Sequence, residues 1–245
     1  MRWKGGFVLG LIAFVLVVIC LFGPWFSVHM SGSMMGINID ADAGYGLGGI
    51  TVDMNYMGMD ASVYMSYSEV SSTGGDDMIG VFTITQFFVI PALIFTLLFF
   101  IFAIAVGLGK MGNGIAVVLG VLGIIFTLMA FIYFAAAIPS TLAQQTTVPG
   151  VTGSFSMTGF WGSDTLNLDL GMGMGSINMD VSWGPGYAWY LMIVAFAMIL
   201  IATIMMIGAR PKPKPTVAYT PAVYSMPPTS LHREEPQAPE PGPPF

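Results

Sequence analysis

The sequence predicts a membrane α-helical fold: a four-transmembrane-helix bundle with a small extracytoplasmic antiparallel β-sheet formed by two outer loops. Three observations predict it. Four long apolar runs, residues 5–22, 79–108, 114–138 and 187–207, contain no Asp, Glu, Lys, Arg or His, and crossing a hydrocarbon core takes ~20 helical residues. All seven basic residues fall on one side of these runs. The two long connections switch to an alternation of period two, the pattern of half-buried strands. Composition agrees: 8% charged and 55% hydrophobic stands far from the about 25% charged residues of soluble domains.

Residues 1–23 read as the first transmembrane helix with a short cytoplasmic N-terminus. MRWK followed by an apolar stretch has the outline of a secretory signal. No small-x-small cleavage site follows, however; the exit is FGPWFSV, and Ile19 stands where a lipoprotein signal needs a small residue before Cys20. A retained helix is the expectation. Cys20 is the one cysteine, so no intramolecular disulfide holds the outer loops. No Asn-x-Ser/Thr acceptor occurs either. Both features fit the cell membrane of an archaeon or a bacterium.

Residues 24–78 form the first extracytoplasmic loop, 79–109 the second helix, and 110–138 a cytoplasmic turn with the third helix. The second loop is 139–186, the fourth helix 187–208 and the tail 209–245. Charge sets the orientation. Arg2, Lys4, Lys110, Arg210, Lys212, Lys214 and Arg233 all lie on the side of the termini, whereas the two loops hold ten acidic residues and no Lys or Arg. Basic residues near helix ends stay in the cytoplasm, so the chain is a multi-pass protein of the cell membrane with N- and C-termini cytoplasmic. Trp25, Trp183 and Trp189 fall at the outer ends of the helices, where indole rings favour the headgroup layer.

The second run exceeds the length of a span and contains Pro91, so it should kink or tilt. GLGKMGNG lacks the spacing of a phosphate loop and reads as a tight hairpin turn. Gly6 with Gly10, and Gly120 with Gly123, provide small surfaces for helix contacts.

In the first loop Ile37, Ile39, Ala41 and Ala43 alternate with Asn38, Asp40 and Asp42, and Ile50, Val52, Met54 and Tyr56 with Thr51, Asp53 and Asn55. In the second, Leu166, Leu168 and Leu170 alternate with Asn167 and Asp169, and Ile177, Met179, Val181 and Trp183 with Asn178, Asp180 and Ser182. The glycine-rich connectors AGYGLGG and GMGMG supply the hairpin turns. INIDADAGYGLGGITVDMNY and LNLDLGMGMGSINMDVSW resemble each other, which leaves duplication of a helix–loop–helix unit and simple convergence of amphipathic hairpins both open. An isolated hairpin is marginal in water, so the two loops should pair into one sheet. From residue 211 onward, eleven of the sixteen prolines crowd the tail. It reads as a disordered proline-rich spacer, with P-x-x-P spacings that also suit the aromatic groove of a cytoplasmic partner.

Catalytic chemistry finds little to use. The two histidines are His29 and His232, and no Ser/His/Asp, HExxH or CxxC arrangement is present. A non-enzymatic protein with no cofactor is expected. Two metal readings stand beside that expectation. Asp40, Asp42 and Gly44 reproduce part of a calcium loop but lack its third ligand and terminal Glu; a solvated polar face explains the carboxylates equally. Twelve of the twenty methionines lie in the loops, and thioethers suit Cu(I), which makes Met54, Met57, Met59, Met172 and Met174, with His29, candidate ligands. Packing of strand faces accounts for these methionines without a metal.

Four helices, inside termini, a long first and shorter second outer loop, outer strands and Trp25 after the first helix together resemble the claudin-like tetraspan proteins. The signature W-GLW-C-C of that family is absent. The resemblance implies a layout, with a barrier role not carried over. The expected function is a structural or interaction protein, a subunit or scaffold of a membrane assembly. The alternative is extracytoplasmic metal handling, of Cu(I) through the methionines or Ca2+ through the aspartates. Expected partners are the lipid bilayer and other membrane proteins or further copies of the chain; nucleic acid is not among them. Topology is testable. With Cys20 replaced by alanine, cysteines in either long loop should react with an impermeant reagent on intact cells, and Lys110→Cys should not; outside labelling of Lys110→Cys overturns the orientation.

Overall fold

The computed structural model describes residues 2–34, 37–70, 76–142, 157–169 and 176–208. In chain order they form α1 (Arg2–Phe22), β1 (Phe26–Met34), β2 (Ile37–Tyr45), β3 (Gly49–Tyr56), β4 (Met59–Ser66), α2 (Tyr67–Val70), α3 (Asp76–Gly107), α4 (Gly114–Leu142), β5 (Gly162–Asp169), β6 (Ser176–Pro185) and α5 (Tyr187–Ile207). Four of the helices, α1, α3, α4 and α5, are long and apolar enough to cross a membrane. The strands make one antiparallel sheet of six, in the order β4-β3-β2-β1-β6-β5. The two long connections therefore meet in a single sheet, joined where β1 pairs with β6.

Small residues set the helix spacing. The Phe99 ring lies between α1 and α4, where a methyl group on Gly10 would stand 2.8 Å from it and one on Gly120 3.0 Å. Both helices can approach α3 because those positions carry no side chain, the usual device where apolar helices gain little from burial alone. Thr85, Thr96, Thr127 and Thr203 are buried, and each hydroxyl donates to the carbonyl four residues earlier in its own helix. Their polarity is thereby absorbed locally.

Helix length then decides where the sheet sits. α3 has 32 residues and α4 has 29, against 21 each for α1 and α5. At 1.5 Å per residue the α3–α4 pair is longer by roughly 12–16 Å. Gly10 faces Phe99, and α1 begins about as far before Gly10 as α3 ends after Phe99. The surplus is therefore at the opposite end, where the sheet begins. Met78, Val81, Phe82, Ile138 and Leu142 of that surplus form one buried cluster with Phe26, Val28, Ala43, Val181 and Trp183 of the sheet. α3 stays helical through Pro91, and α4 through Pro139. The expected ends at residues 79 and 138 are thus three and four residues short, and the surplus length forms a wall for the strands.

Trp25 ties the layers together. Its indole N–H donates to the Cys20 carbonyl (2.7 Å), its backbone N–H to Tyr45 (2.7 Å), and its carbonyl accepts the Gly186 N–H (2.8 Å). The Ala188 N–H reaches the Pro24 carbonyl at 3.0 Å, and the ring meets Phe134 edge-on, centroids 5.3 Å apart. One residue thereby connects α1, β1, β2, α4 and the β6–α5 junction. The expectation that Trp25 and Trp183 face a headgroup layer is corrected: both are buried inside the protein. Trp189 is half-buried and donates to the Phe131 carbonyl at 3.1 Å.

Two further strands were hidden from the two-hairpin reading. β1 and β4 do alternate, as FSVHM and MDASVYMS, but the serines and glycine around them weaken the pattern. α2 is opened by a capping box: the Glu69 carboxylate accepts the Ser66 N–H (2.8 Å) and hydroxyl (2.9 Å). These bonds hold the Glu69 pKa below its ordinary value. The connector GMGMG, with Met172 and Met174, and Leu170, Met35 and the tail lie outside the described residues.

Removing the Trp25 side chain should loosen sheet and bundle together. Trp25→Ala is expected to cost about 3–5 kcal/mol, read as lower melting temperature in detergent and protease cleavage in both long connections.

Candidate functional site

Register places the chemically interesting side chains on opposite faces of the sheet. Ser31, Asp40, Asn55 and Asp60 fall in one cross-strand row, continued by Asp180 and Thr165; His29, Asp42, Asp53 and Ser62 fall in the next. Met30, Ala41, Met54 and Ala61 lie between those rows on the other side. This parity follows from the pleat, which sends successive side chains to opposite faces.

On the polar face, most carboxylates have neutral or basic cross-strand neighbours. His29 donates from Nδ1 to Asp42 at 2.7 Å, Asn55 to Asp60 at 2.6 Å, and the Thr165 hydroxyl to Asp180 at 3.2 Å. Asp42 and Asp53 are the directly opposed carboxylates in the register. His29 and Asp42 are both open to water, so the pair contributes less than about 1 kcal/mol. Asp40 and Asp42 project from one strand on this exposed face. Among the described residues, no group of three His, Cys, Asp or Glu side chains is placed to hold a metal ion.

The structure separates the candidate thioethers from His29. Met54 and Met59 belong to the apolar face, Met57 to the β3–β4 turn, and His29 to the polar face. The packing expected of these methionines does not occur: Met54 is 44% exposed, Met57 59% and Met59 66%. Tyr56 and Val63, on the same face, are each 45% exposed. The helix ends cover the lower rows of the sheet, and the β3–β4 corner extends past them. Met57 and Gly58 have φ of 54° and 75°, as both central residues of a type I′ turn require. Methionine has no preference for that region, so the turn carries local strain at its tip.

A cleft of about 820 Å³ opens beneath the polar face, between Phe22, Pro24 and Ile90 on one side and Asp42, Asp53 and Tyr64 on the other. Its polar groups are already engaged in part: Asp42 by His29, and the Tyr64 hydroxyl by the Gly48 carbonyl at 3.1 Å. Tyr67 supports the same glycine turn from below, donating to the Gly46 carbonyl at 2.6 Å. Its ring stacks on Phe82, which also stacks with Tyr45. Burial raises the pKa of Tyr45, and burial with the neighbouring Tyr45 and Tyr64 raises that of Tyr67. No protein-family model matches the chain, and no curated protein matches it in sequence.

The two phenols give the sheet base an alkaline limit. A folded-state pKa above the unfolded ~10 means that their contribution is complete below pH about 10 and falls as pH rises through the folded values. Melting temperature should be flat from pH 7 to about 9 and decline above about 10. Joint Tyr45→Phe and Tyr67→Phe should flatten that decline; an unchanged alkaline slope would remove these groups as its origin.

Proposed function

We propose that the protein is a non-enzymatic, multi-pass membrane protein that presents its sheet outside the cytoplasm as an interaction surface, as a subunit or scaffold of a larger membrane assembly. The single observation that carries this reading is the bare β3–β4 corner. Met54, Tyr56, Met57, Met59 and Val63 form an exposed apolar group on a face whose lower rows are buried. Contiguous apolar surface of this kind marks contact with another molecule.

Membrane insertion is supported by the outward side chains of the long helices, among them Val8, Ile19, Ile94, Val118, Ile132 and Ile204, which are apolar and exposed. Lys110 lies in the turn between α3 and α4, at the end of the bundle away from the sheet, while Asp40, Asp42, Asp53, Asp60, Asp164 and Asp180 belong to the strands. That segregation supports cytoplasmic termini and an extracytoplasmic sheet. The arrangement of helices and outer strands fits the claudin-like layout, without its cysteines. The exposed Met54, Met57 and Met59 favour Cu(I) handling as the second reading, since accessible thioethers are what that metal needs.

Purification of the intact protein from native membranes in mild detergent should return a partner at fixed stoichiometry, and metal analysis of the same preparation reads the second hypothesis. Recovery of the chain alone, monomeric and copper-free, would defeat both.

A further inference from the structure

We infer that β4 is an open edge that accepts a β-strand from a partner protein, one whose residues alternate apolar and basic. The inference rests on the interaction reading above and names the partner's chemistry.

Geometry first defines the free backbone. The two-residue turn at Met57–Gly58 makes Tyr56↔Met59 the closing, hydrogen-bonded pair of the β3–β4 hairpin. Bonded and non-bonded pairs alternate along an antiparallel ladder. Met59, Ala61, Val63 and Met65 therefore bond to β3, and Asp60, Ser62 and Tyr64 direct their N–H and C=O groups away from the sheet. β4 is the terminal strand, and residues 59–64 are all exposed.

The two edges of the sheet are treated differently. Natural edges are blunted by proline, lysine, a bulge or a misplaced charge. At the β5 edge, Asp164 occupies the apolar-face position opposite Val181, and its carboxylate accepts the Thr165 N–H at 2.8 Å. A charge thus guards that rim and occupies one of its donors. β4 has the sequence MDASVYMS, with neither proline nor lysine, and pairs with β3 without interruption of register.

The side chains beside the open edge specify what fits. On one face an added strand would meet Met59 and Val63, with Met54 and Tyr56 behind them. On the other it would meet Asp60, Ser62 and Tyr64, with Asp53 behind Ser62 and Asp42 one strand further in. The complement of an apolar face and an acidic face is a strand of period two carrying apolar and cationic residues. A second copy fits poorly, because the two long connections contain ten acidic residues and no Lys or Arg. Edge-to-edge pairing of two copies would bring like charges together.

The test uses the full chain in lipid nanodiscs and a fluorescent peptide as long as β4 that alternates valine and lysine. Saturable binding is expected, with about tenfold or greater loss when glutamate replaces the lysines. Ser62→Pro removes an outward N–H without touching the β3 ladder and leaves charge unchanged. It should preserve the melting temperature and weaken binding about tenfold; Ser62→Thr should bind as the parent does. Should Ser62→Pro unfold, Tyr64→Pro, which likewise removes an outward N–H at an exposed position without changing charge, gives the same reading. Equal binding by a folded Ser62→Pro chain, equal binding of the glutamate peptide, or self-association of the chain through β4 would each overturn the inference. A native partner whose capture survives Ser62→Pro overturns the edge while leaving the interaction reading intact; no partner for either chain defeats that reading itself.

Discussion

Covering the apolar face of the sheet is the constraint on which the rest of this structure depends. Six strands with Phe26, Val28, Ala43, Val181 and Trp183 on one side would be unstable in water unless something sealed that side. α3 and α4 supply the seal because they run on past the ends of their neighbours. The shorter α1 and α5 complement them by stopping early, so that the chain passes directly into β1 and out of β6. Trp25 stands where α1 gives way to the sheet. Its three hydrogen bonds occupy polar groups that chain reversal would otherwise leave unpaired in a buried position, and an unpaired buried group costs more than a made bond returns.

The same geometry sets the ionisable side chains of the polar face in exposed rows rather than in an enclosed cluster. The carboxylates here stand in cross-strand rows open to solvent, most of them beside Ser, Asn, Thr or His. Such alternation relieves repulsion between like charges on adjacent strands. Tyr45 and Tyr67, whose pKa values are raised, are partly buried supports of the sheet base.

Coverage ends before the sheet does. The helix ends reach the lower rows, and the β3–β4 hairpin continues beyond them with methionine, tyrosine and valine exposed. The six-stranded sheet thereby acquires two unequal margins. One carries a carboxylate at its rim, and the other presents backbone donors and acceptors between an apolar and an acidic face. The two margins thus differ in backbone: one outward donor of β5 is engaged by Asp164, whereas β4 runs uninterrupted beside β3.

Periodicity by itself determined the four long apolar helices and the strands beginning at Ile37 and Ile50, while the marginal stability of a lone hairpin pointed to one sheet shared by the two long connections. These features follow from local patterns: uninterrupted apolar length for the helices, strict alternation for the strands. Alternation also fixed which face of β2 is polar, because a pleat leaves no freedom in that choice. Tertiary structure decided what depends on distant contacts. It buried Trp25 and Trp183, which sequence position alone had assigned to an interface. It turned the surplus length of α3 into a wall for the strands and inserted β1 between β2 and β6. It also left Met54 and Met59 uncovered, although their alternation is the same as that of buried Ile50. Alternation says which side of a strand a residue occupies; whether that side is covered depends on how far the neighbouring helices extend, and no residue in the strand itself encodes that distance.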